Sequence, residues 1–198
     1  MTLPATLRAS AAAAALLAAG LACAQNPAPI KVGFMLPATG SYANLGTVIE
    51  NGFKLHVAEH GGKLVRREVQ YFKVDDESDP GKAADNVNKL IKRDKVDVLV
   101  GTVHSGVAQT MVKAAKERKT ILIVPNAGAD MITDPMCGPN IFRTSFTNWQ
   151  PAFAMGKVAA ERGHKKVITV TWNYAAGQGS VKGFAEASRR AAARWRAT

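Results

Sequence analysis

Short apolar runs alternate with longer amphipathic segments through most of this chain. Four runs of four to seven residues are largely apolar and rich in β-branched side chains, a pattern typical of strands that are buried on both faces. A fifth run of this kind follows an irregular segment rich in Gly, Asp, Asn and Pro. We predict strands over residues 30–36, 69–74, 96–100, 121–124 and 141–144.

A predicted helix follows each of the first three strands. Residues 44–60 carry apolar positions at helical spacing, and Gly61-Gly62 marks the end of that helix. Asp79-Pro80 joins an N-cap residue to the residue best suited to the first helical position, and it predicts a helix that reaches about Arg93. A third helix is predicted over 105–118. This alternation predicts an α/β fold, a parallel sheet with helices on both faces.

A second α/β unit begins after the fifth strand. Its pattern predicts a helix over 151–161, a strand over 166–172 and a further helix that starts near Gly179. We therefore expect residues 25–145 to form a nearly complete first lobe and residues 146–187 to form the opening part of a second lobe.

The last eleven residues differ in composition from the rest of the chain. Residues 188–198 (SRRAAARWRAT) lack the apolar stripe of an amphipathic helix, and no strand follows them. We interpret residues 188–198 as an aberrant Arg/Ala-rich tail and the chain as truncated at its C-terminus. A natural basic terminal helix is the alternative.

The first 24 residues have the pattern of an export signal. Arg8 precedes the run 11–22, which contains only Ala, Leu and Gly, and Ala22-Cys23-Ala24 supplies the small-x-small sequence that signal peptidase cleaves. An apolar run of this length is too short to cross a bilayer. We predict a signal peptide over 1–24 and a periplasmic mature chain, with lipid attachment at Cys23 as the alternative.

Composition and charge exclude several classes of protein. The sequence is 47% hydrophobic and 21% charged, which is typical of a globular domain and excludes a disordered chain. Lys and Arg number 26 against 15 Asp and Glu, a formal charge of +11, but the basic residues are scattered and no nucleic-acid recognition motif accompanies them. We therefore expect no nucleic-acid partner. Two Cys exclude a disulfide scaffold, and only Cys137 follows the predicted signal peptide.

Three polar segments carry motifs associated with metal or phosphate binding. His56, Glu59 and His60 match the H-x-x-E-H pattern of zinc proteases without the third protein ligand, so a zinc hydrolase stays an alternative function. Residues 75–79 group four carboxylates without the Gly and Glu of an EF-hand, and helix capping explains them better. Residues 101–106 form a loop before a helix but lack the Lys of a phosphate-binding loop.

The ends of two predicted strands bring backbone donors and a hydroxyl group to one place. Ser105 is predicted as the N-cap of a helix whose first free N–H groups, at Gly106 and Val107, favour an anion such as a carboxylate. Ala127 and Gly128 follow the next strand. Ligands of open parallel sheets bind at such strand ends, so these residues form a candidate binding site.

At these residues the sequence resembles the periplasmic solute-binding proteins of ABC importers, in the leucine/isoleucine/valine-binding family. The matching segments lie in order over residues 30–187. They are residues 30–33 with 36–40, 75–76 with 79–80, 98–101 with 105–106, 124–125 with 127–129, 142–143, and 174–177 with 183–184. The predicted signal peptide agrees with this resemblance.

The resemblance implies a type I periplasmic-binding-protein fold, in which two α/β lobes joined by a hinge close over a small ligand. A hydroxyl group and backbone amides of the first lobe would hold a ligand carboxylate, two loop residues would line the cleft, and a Tyr would approach from the second lobe. The implied ligand residues are Ser105, Ala127, Gly128, Ser41, Tyr42 and Tyr174.

The resemblance also implies a function without catalysis, cofactor or metal. The partners would be a small carboxylate-bearing solute and an ABC permease in the inner membrane, and the chain would be a monomer. Amino-acid-binding members often carry Thr near position 128 or 129, whereas this chain has Gly128 and Ala129, so amides and aromatic acids join branched-chain amino acids as candidate ligands. A ligand-sensing receptor module of the same fold is an alternative. Because closure needs both lobes, we expect this chain alone to bind weakly or not at all.

Overall fold

The computed structural model describes the backbone of residues 27–196 and the side chains of residues 27–190. The predicted signal peptide and Cys23 lie outside the described residues. The strands are Ile30–Leu36 (β1), Lys63–Leu64 (β2), Arg67–Asp75 (β3), Val98–Val100 (β4), Ile121–Val124 (β5) and Ile141–Arg143 (β6). The helices are Ala43–Glu59 (α1), Pro80–Asn88 (α2), Ser105–Arg118 (α3), Trp149–Glu161 (α4) and Ala175–Arg196 (α5), with a π-helical turn at Lys89–Arg93 after α2 and a 3₁₀ turn at Asp130–Ile132.

The six strands form one sheet in the order β2-β3-β1-β4-β5-β6. Strand β1 pairs in parallel with β3 on one side and β4 on the other, and β5 and β6 extend the sheet in the same direction. The short strand β2 is antiparallel to β3. The carboxyl ends of the parallel strands therefore meet at one edge of the sheet, where parallel α/β proteins bind their ligands.

Apolar side chains cover both faces of this sheet. On one face, Met35 and Leu99 pack against α2 and α3, and both side chains are fully buried. On the other face, the Phe34 ring lies 5.4 Å from the Phe53 ring of α1 and stacks on Tyr71 at 5.6 Å. Successive residues of β1 therefore point to opposite faces of the sheet, and helices cover both faces. This confirms the predicted α/β fold, a parallel sheet with helices on both faces.

The strand predicted over 166–172 is wrong for the described structure. Residues 164–172 have no regular secondary structure, and Ile168, Val170 and Trp172 are 91%, 93% and 74% exposed. A strand forms when a neighbouring strand satisfies its backbone N–H and C=O groups, and none of the six described strands pairs with this segment. The following helix α5 begins at Ala175 rather than near Gly179.

Two glycines let α4 and α5 approach each other at backbone distance. A Cβ atom on Gly156 would collide with the carbonyl oxygen of Phe184, and one on Gly183 would lie 2.6 Å from the carbonyl oxygen of Trp149. The Trp149 indole N–H also donates to Glu186 at 2.9 Å. These contacts hold α5 tightly against α4. Of the helices described, none combines the length and the apolar character needed to cross a membrane.

Candidate functional site

The loop between β1 and α1 is held at the carboxyl edge of the sheet by Asp75. Its carboxylate accepts hydrogen bonds from Ala38 N at 2.8 Å, Thr39 Oγ1 at 2.7 Å and Glu77 N at 2.9 Å. Burial alone would raise the pKa of the Asp75 carboxyl, but these hydrogen bonds outweigh burial and hold the pKa below its ordinary value. Asp75 is therefore ionised at neutral pH and keeps this loop, with Tyr42 at its end, in place.

The neighbouring Asp76 lies fully buried beneath the loop between β4 and α3. It accepts hydrogen bonds from the Thr102 hydroxyl and from Ser78 N, the latter at 2.8 Å. Burial raises the pKa of Asp76 above its ordinary value, and the Asp75 charge adds to this effect. Thr102 also accepts the N–H of Ala127 on its carbonyl oxygen at 3.0 Å, so it joins the two predicted ligand-binding loops.

The N-cap of α3 is His104, not Ser105 as predicted. The His104 Nδ1 atom accepts the N–H of Gly106 at 3.1 Å, which requires an unprotonated Nδ1. Burial lowers the pKa of His104, and the charges of Asp76 and Asp79 offset only part of that shift. The N–H of Gly106 is therefore not free for a ligand while His104 is neutral, which corrects the sequence interpretation.

Ser105 occupies the first position of α3 and is 1% exposed. The side-chain hydrogen bonds found around it, among the described residues, join Thr102 to Asp76, Gly106 to His104 and Thr110 to Gly106, and the Ser105 hydroxyl takes part in none of them. A buried hydroxyl at a helix N-terminus is suited to donate to an anion.

Tyr174 contacts the residue that caps the N-terminus of α3. Its ring stacks on the His104 ring with a centroid distance of 4.7 Å and an interplanar angle of 18°. Burial and the neighbouring Tyr42 hydroxyl raise the pKa of Tyr174 to about 12. The structure thus brings Tyr42, His104 and Tyr174 together. Ser105 directly follows His104 in the chain and is the first residue of α3.

The remaining predicted ligand residues lie at the same edge of the sheet. Ala127 and Gly128 are buried, and the Gly128 carbonyl accepts the N–H of Asn148 at 2.7 Å. The Ala127 N–H is already donated to Thr102, so Gly128 is the better candidate for a free backbone donor. Ser41 is exposed, and no side-chain contact links it to the other members of this site among the described residues.

Sequence reasoning missed three residues of this region. His104 was overlooked because Ser is the commoner N-cap residue. Arg143 donates to the carbonyl oxygen of Ala129 at 2.8 Å and so supports the loop after β5. Asn148 lies against Gly128, a contact between residues far apart in the chain that no local pattern announces.

The zinc motif at the end of α1 lacks a third ligand in the structure. His56, Glu59 and His60 are exposed, and the two imidazole rings lie 4.3 Å apart. The His60 Nδ1 atom is 2.7 Å from the His56 carbonyl oxygen, which uses one of the ring nitrogens. No group of three His, Cys, Asp or Glu side chains that could hold a metal occurs in the part of the chain that the structure describes.

A groove of about 1030 Å³ lies away from the candidate site. It runs between the C-terminal end of α4, the middle of α5 and the segment of residues 164–172, which has no regular secondary structure. Its lining includes Ala160, Val167 and Phe184. It contains none of the six predicted ligand residues. The groove lies beside the exposed apolar segment of residues 164–172, which pairs with none of the described strands.

Comparison with known proteins shows which family the sequence matches. The family model described as periplasmic binding protein matches residues 29–194. A solute-binding protein of an ABC transporter from R. palustris, solved in complex with benzoate, is 52% identical with a TM-score of 0.79. The match covers 82% of this chain and 45% of that protein.

Two further relatives are also solute-binding or amino-acid-binding proteins. A solute-binding protein from Rhodopseudomonas palustris BisB5, in complex with 3,4-dihydroxybenzoic acid, is 34% identical with a TM-score of 0.76 over 82% of this chain and 44% of that protein. Leu/Ile/Val-binding protein homolog 6 of Brucella abortus is 30% identical over 149 residues, which are 75% of this chain and 38% of the relative.

This chain therefore spans less than half the length of the relatives it matches. The matched residues nevertheless include β1, the loop with Asp75 and Asp76, the start of α3 and Tyr174. With its parallel sheet, its candidate site at the carboxyl edge of that sheet and a family match over most of its length, the chain belongs to the periplasmic binding protein family.

Proposed function

We propose that this chain provides the solute-binding function of an ABC importer and that its ligand is a small aromatic carboxylate. The observation that carries the proposal is the contact of Tyr174 with His104 directly beside the buried Ser105 at the start of α3. This arrangement places an aromatic surface next to a helix N-terminus, where a carboxylate is favoured.

The polar side of the proposed site suits a carboxylate. The Ser105 hydroxyl and the backbone N–H of Gly128 are the candidate donors, since the N–H groups of Gly106 and Ala127 already have partners. Two donors on two loops can hold the two oxygens of one carboxylate. The aromatic side chains Tyr42, His104 and Tyr174 would pack on the ring of the ligand.

An aromatic acid explains the site better than an amino acid does. Gly128 and Ala129 carry no hydroxyl group with which to hold an α-ammonium or α-carboxylate. The R. palustris protein with which this chain shares 52% of its residues was solved with benzoate, and the BisB5 protein was solved with 3,4-dihydroxybenzoic acid. The Leu/Ile/Val-binding relatives share fewer residues with this chain, and they make a branched-chain amino acid the alternative.

The proposed cellular setting follows from the family. We place the mature chain in the periplasm as a monomer that delivers its solute to an ABC permease in the inner membrane. It would act without catalysis, since the family's task is to bind and release a solute.

A ligand titration of residues 25–198 tests the proposal. Amide NMR spectra would be recorded during additions of benzoate, 4-hydroxybenzoate and leucine, because amide shifts also detect weak binding. We expect both benzoates to shift the resonances of Ser105 and Gly128 and leucine to leave them unchanged. Ser105→Ala should weaken benzoate binding, while Ser188→Ala, far from the site on α5, serves as the matched control. Shifts with leucine but not with benzoate would overturn the aromatic assignment.

A further inference from the structure

The side-chain amide nitrogen of Asn148 is buried and has no hydrogen-bond partner among the described residues. Buried polar atoms in native proteins are nearly always paired, because a buried donor without an acceptor has lost its hydrogen bonds to water. An unpaired amide therefore indicates an acceptor other than the described residues, such as a ligand or an ordered water molecule.

Asn148 lies where the chain leaves the sheet for α4. Its backbone N–H donates to the Gly128 carbonyl at 2.7 Å. Its side-chain Oδ1 and Nδ2 atoms lie 2.5 Å and 3.1 Å from the position that a Cβ atom on Gly128 would take. The Asn148 amide thus occupies the space that any side chain at position 128 would need.

The same side chain also faces the start of α5. A Cβ atom on Gly179 would lie 3.6 Å from the Asn148 Cβ atom and 3.0 Å from an Asp130 carboxylate oxygen. A side chain at position 128 would therefore collide with Asn148, whereas one at position 179 would be in ordinary van der Waals contact with it. The amide lies between the ligand-binding loop after β5 and the helix that follows Tyr174.

Several of the nearby polar groups already have partners. The other Asp130 oxygen accepts the Trp149 N–H at 3.3 Å. Arg143 donates to the Ala129 carbonyl, and the Ala127 N–H is donated to Thr102. These groups leave the Asn148 amide and the Gly128 N–H as neighbouring donors on one side of the proposed site.

We infer that Asn148 is a specificity-determining residue whose amide N–H donates to the carboxylate of the ligand, next to the N–H of Gly128. This inference rests on the proposed function, since it assumes a carboxylate at this edge of the sheet. A donor at this position favours an anionic oxygen and disfavours an ammonium group, which is itself a donor. Gly128 is small because a side chain there would displace the amide.

Benzoate titrations of three variants test the inference. Asn148→Ala removes the donor, and we expect benzoate affinity to fall about tenfold, as for the loss of one hydrogen bond to a charged group. Asn148→Asp keeps the shape but places a negative charge beside the carboxylate, so the loss should be larger. Asn126→Ala changes an exposed Asn on the same loop as Gly128 and should leave the affinity unchanged.

Thermal unfolding without ligand separates a binding role from a structural one. Because the Asn148 amide nitrogen has no partner among the residues that the structure describes, Asn148→Ala should leave Tm unchanged or raise it while it weakens benzoate binding. A variant that lowers Tm and binds benzoate as tightly as the unmodified chain would show a structural role and overturn the inference. Gly128→Ala, which pushes the amide aside, should reproduce the loss of affinity.

The ligand series distinguishes the possible failures. If the unmodified chain binds benzoate and Asn148→Ala binds it equally well, the inference fails and the proposed function stands. If Asn148→Ala weakens 4-hydroxybenzoate but not benzoate, the amide meets the ring hydroxyl and the carboxylate assignment is overturned. If the unmodified chain binds leucine and no benzoate, the proposed ligand class fails and the inference fails with it.

Discussion

The imidazole of His104 stacks on the phenol ring of Tyr174 at a centroid distance of 4.7 Å. His104 is the N-cap of α3 in the first α/β unit, whereas Tyr174 immediately precedes α5. The same imidazole accepts the N–H of Gly106. The His104 ring therefore connects the N-terminus of α3 to Tyr174. A change in the charge of His104 would therefore act on both contacts.

Stability should decrease in mild acid because of His104. Burial lowers its pKa in the folded chain below the ordinary value of 6.5. Between these two pKa values the unfolded chain binds more protons than the folded chain, so the free energy of unfolding falls as the pH falls. His104→Asn keeps an acceptor for Gly106 N–H without titrating. Between about pH 7 and about pH 5, Tm should fall less for His104→Asn than for the unmodified chain. Parallel Tm curves would contradict this.

The adjacent carboxyls Asp75 and Asp76 should respond to pH with opposite signs. The lowered pKa of Asp75 gives stability that is present above the unfolded value of 3.8 and lost as the pH falls. Asp75→Asn cannot accept all three hydrogen bonds and should lower the free energy of unfolding by about 1–2 kcal/mol at neutral pH. This difference should shrink in acid, as measured by urea unfolding at both pH values.

For Asp76 the sign reverses. Its raised pKa means that the folded chain holds this proton more tightly than the unfolded chain, so ionisation of Asp76 costs stability as the pH rises above 3.8. Asp76→Asn retains one oxygen acceptor for Ser78 N, and its amide N–H can donate to the Thr102 hydroxyl oxygen, without the buried charge. We expect its free energy of unfolding, relative to the unmodified chain, to rise from acid to neutral pH. A shift in the same direction as Asp75→Asn would refute the assignment of burial as the dominant cause.

The parallel sheet was predictable because each of its main strands contains a short, largely apolar run. Strand β2 was not, because its connection to β3 turns at Val65 and Arg66, which adopt φ values of 48° and 63° without the Gly or Asn that normally signals such a turn. The segment 166–172 carries the same apolar signal as the true strands but pairs with none of the six strands that the structure describes. The apolar pattern therefore indicates which side chains a strand would bury. Whether the strand forms depends on a neighbouring strand that can pair with its backbone.

The candidate site was predictable only in part. Ser105 follows strand β4, so its position at the carboxyl edge follows from topology. Tyr174 follows a segment that forms no described strand, so its contact with His104 does not follow from the order of the strands. The N-cap role of His104 and the contact between Asn148 and Gly128 depend on side-chain packing between distant residues. The partner of each backbone N–H, which decides whether Gly106, Ala127 or Gly128 can bind a ligand, is likewise a tertiary property.

A glycine pair in α1 tests how tightly the loop before Tyr42 is fixed. A Cβ atom on Gly46 would collide with the carbonyl oxygen of Pro37, whereas one on Gly52 would meet nothing within 4 Å. Gly46→Ala should lower the free energy of unfolding by about 2 kcal/mol or more through overpacking. Gly52→Ala should raise it by about 0.5–1 kcal/mol through helix propensity. Chemical denaturation of both variants measures these changes, and equal effects would contradict the close contact with Pro37.

The exposed apolar segment provides the last test, because its side chains make few contacts in the described structure. Ile168 and Val170 are 91% and 93% exposed, so replacing each with Lys should change the free energy of unfolding by less than about 0.5 kcal/mol. Leu122→Lys, at a fully buried position of β5, is the control and should unfold the chain because a charge is costly inside the core. Circular dichroism during urea titration measures both effects. A large loss from Ile168→Lys or Val170→Lys would mean that residues 166–172 are buried in solution, as the sequence pattern predicted.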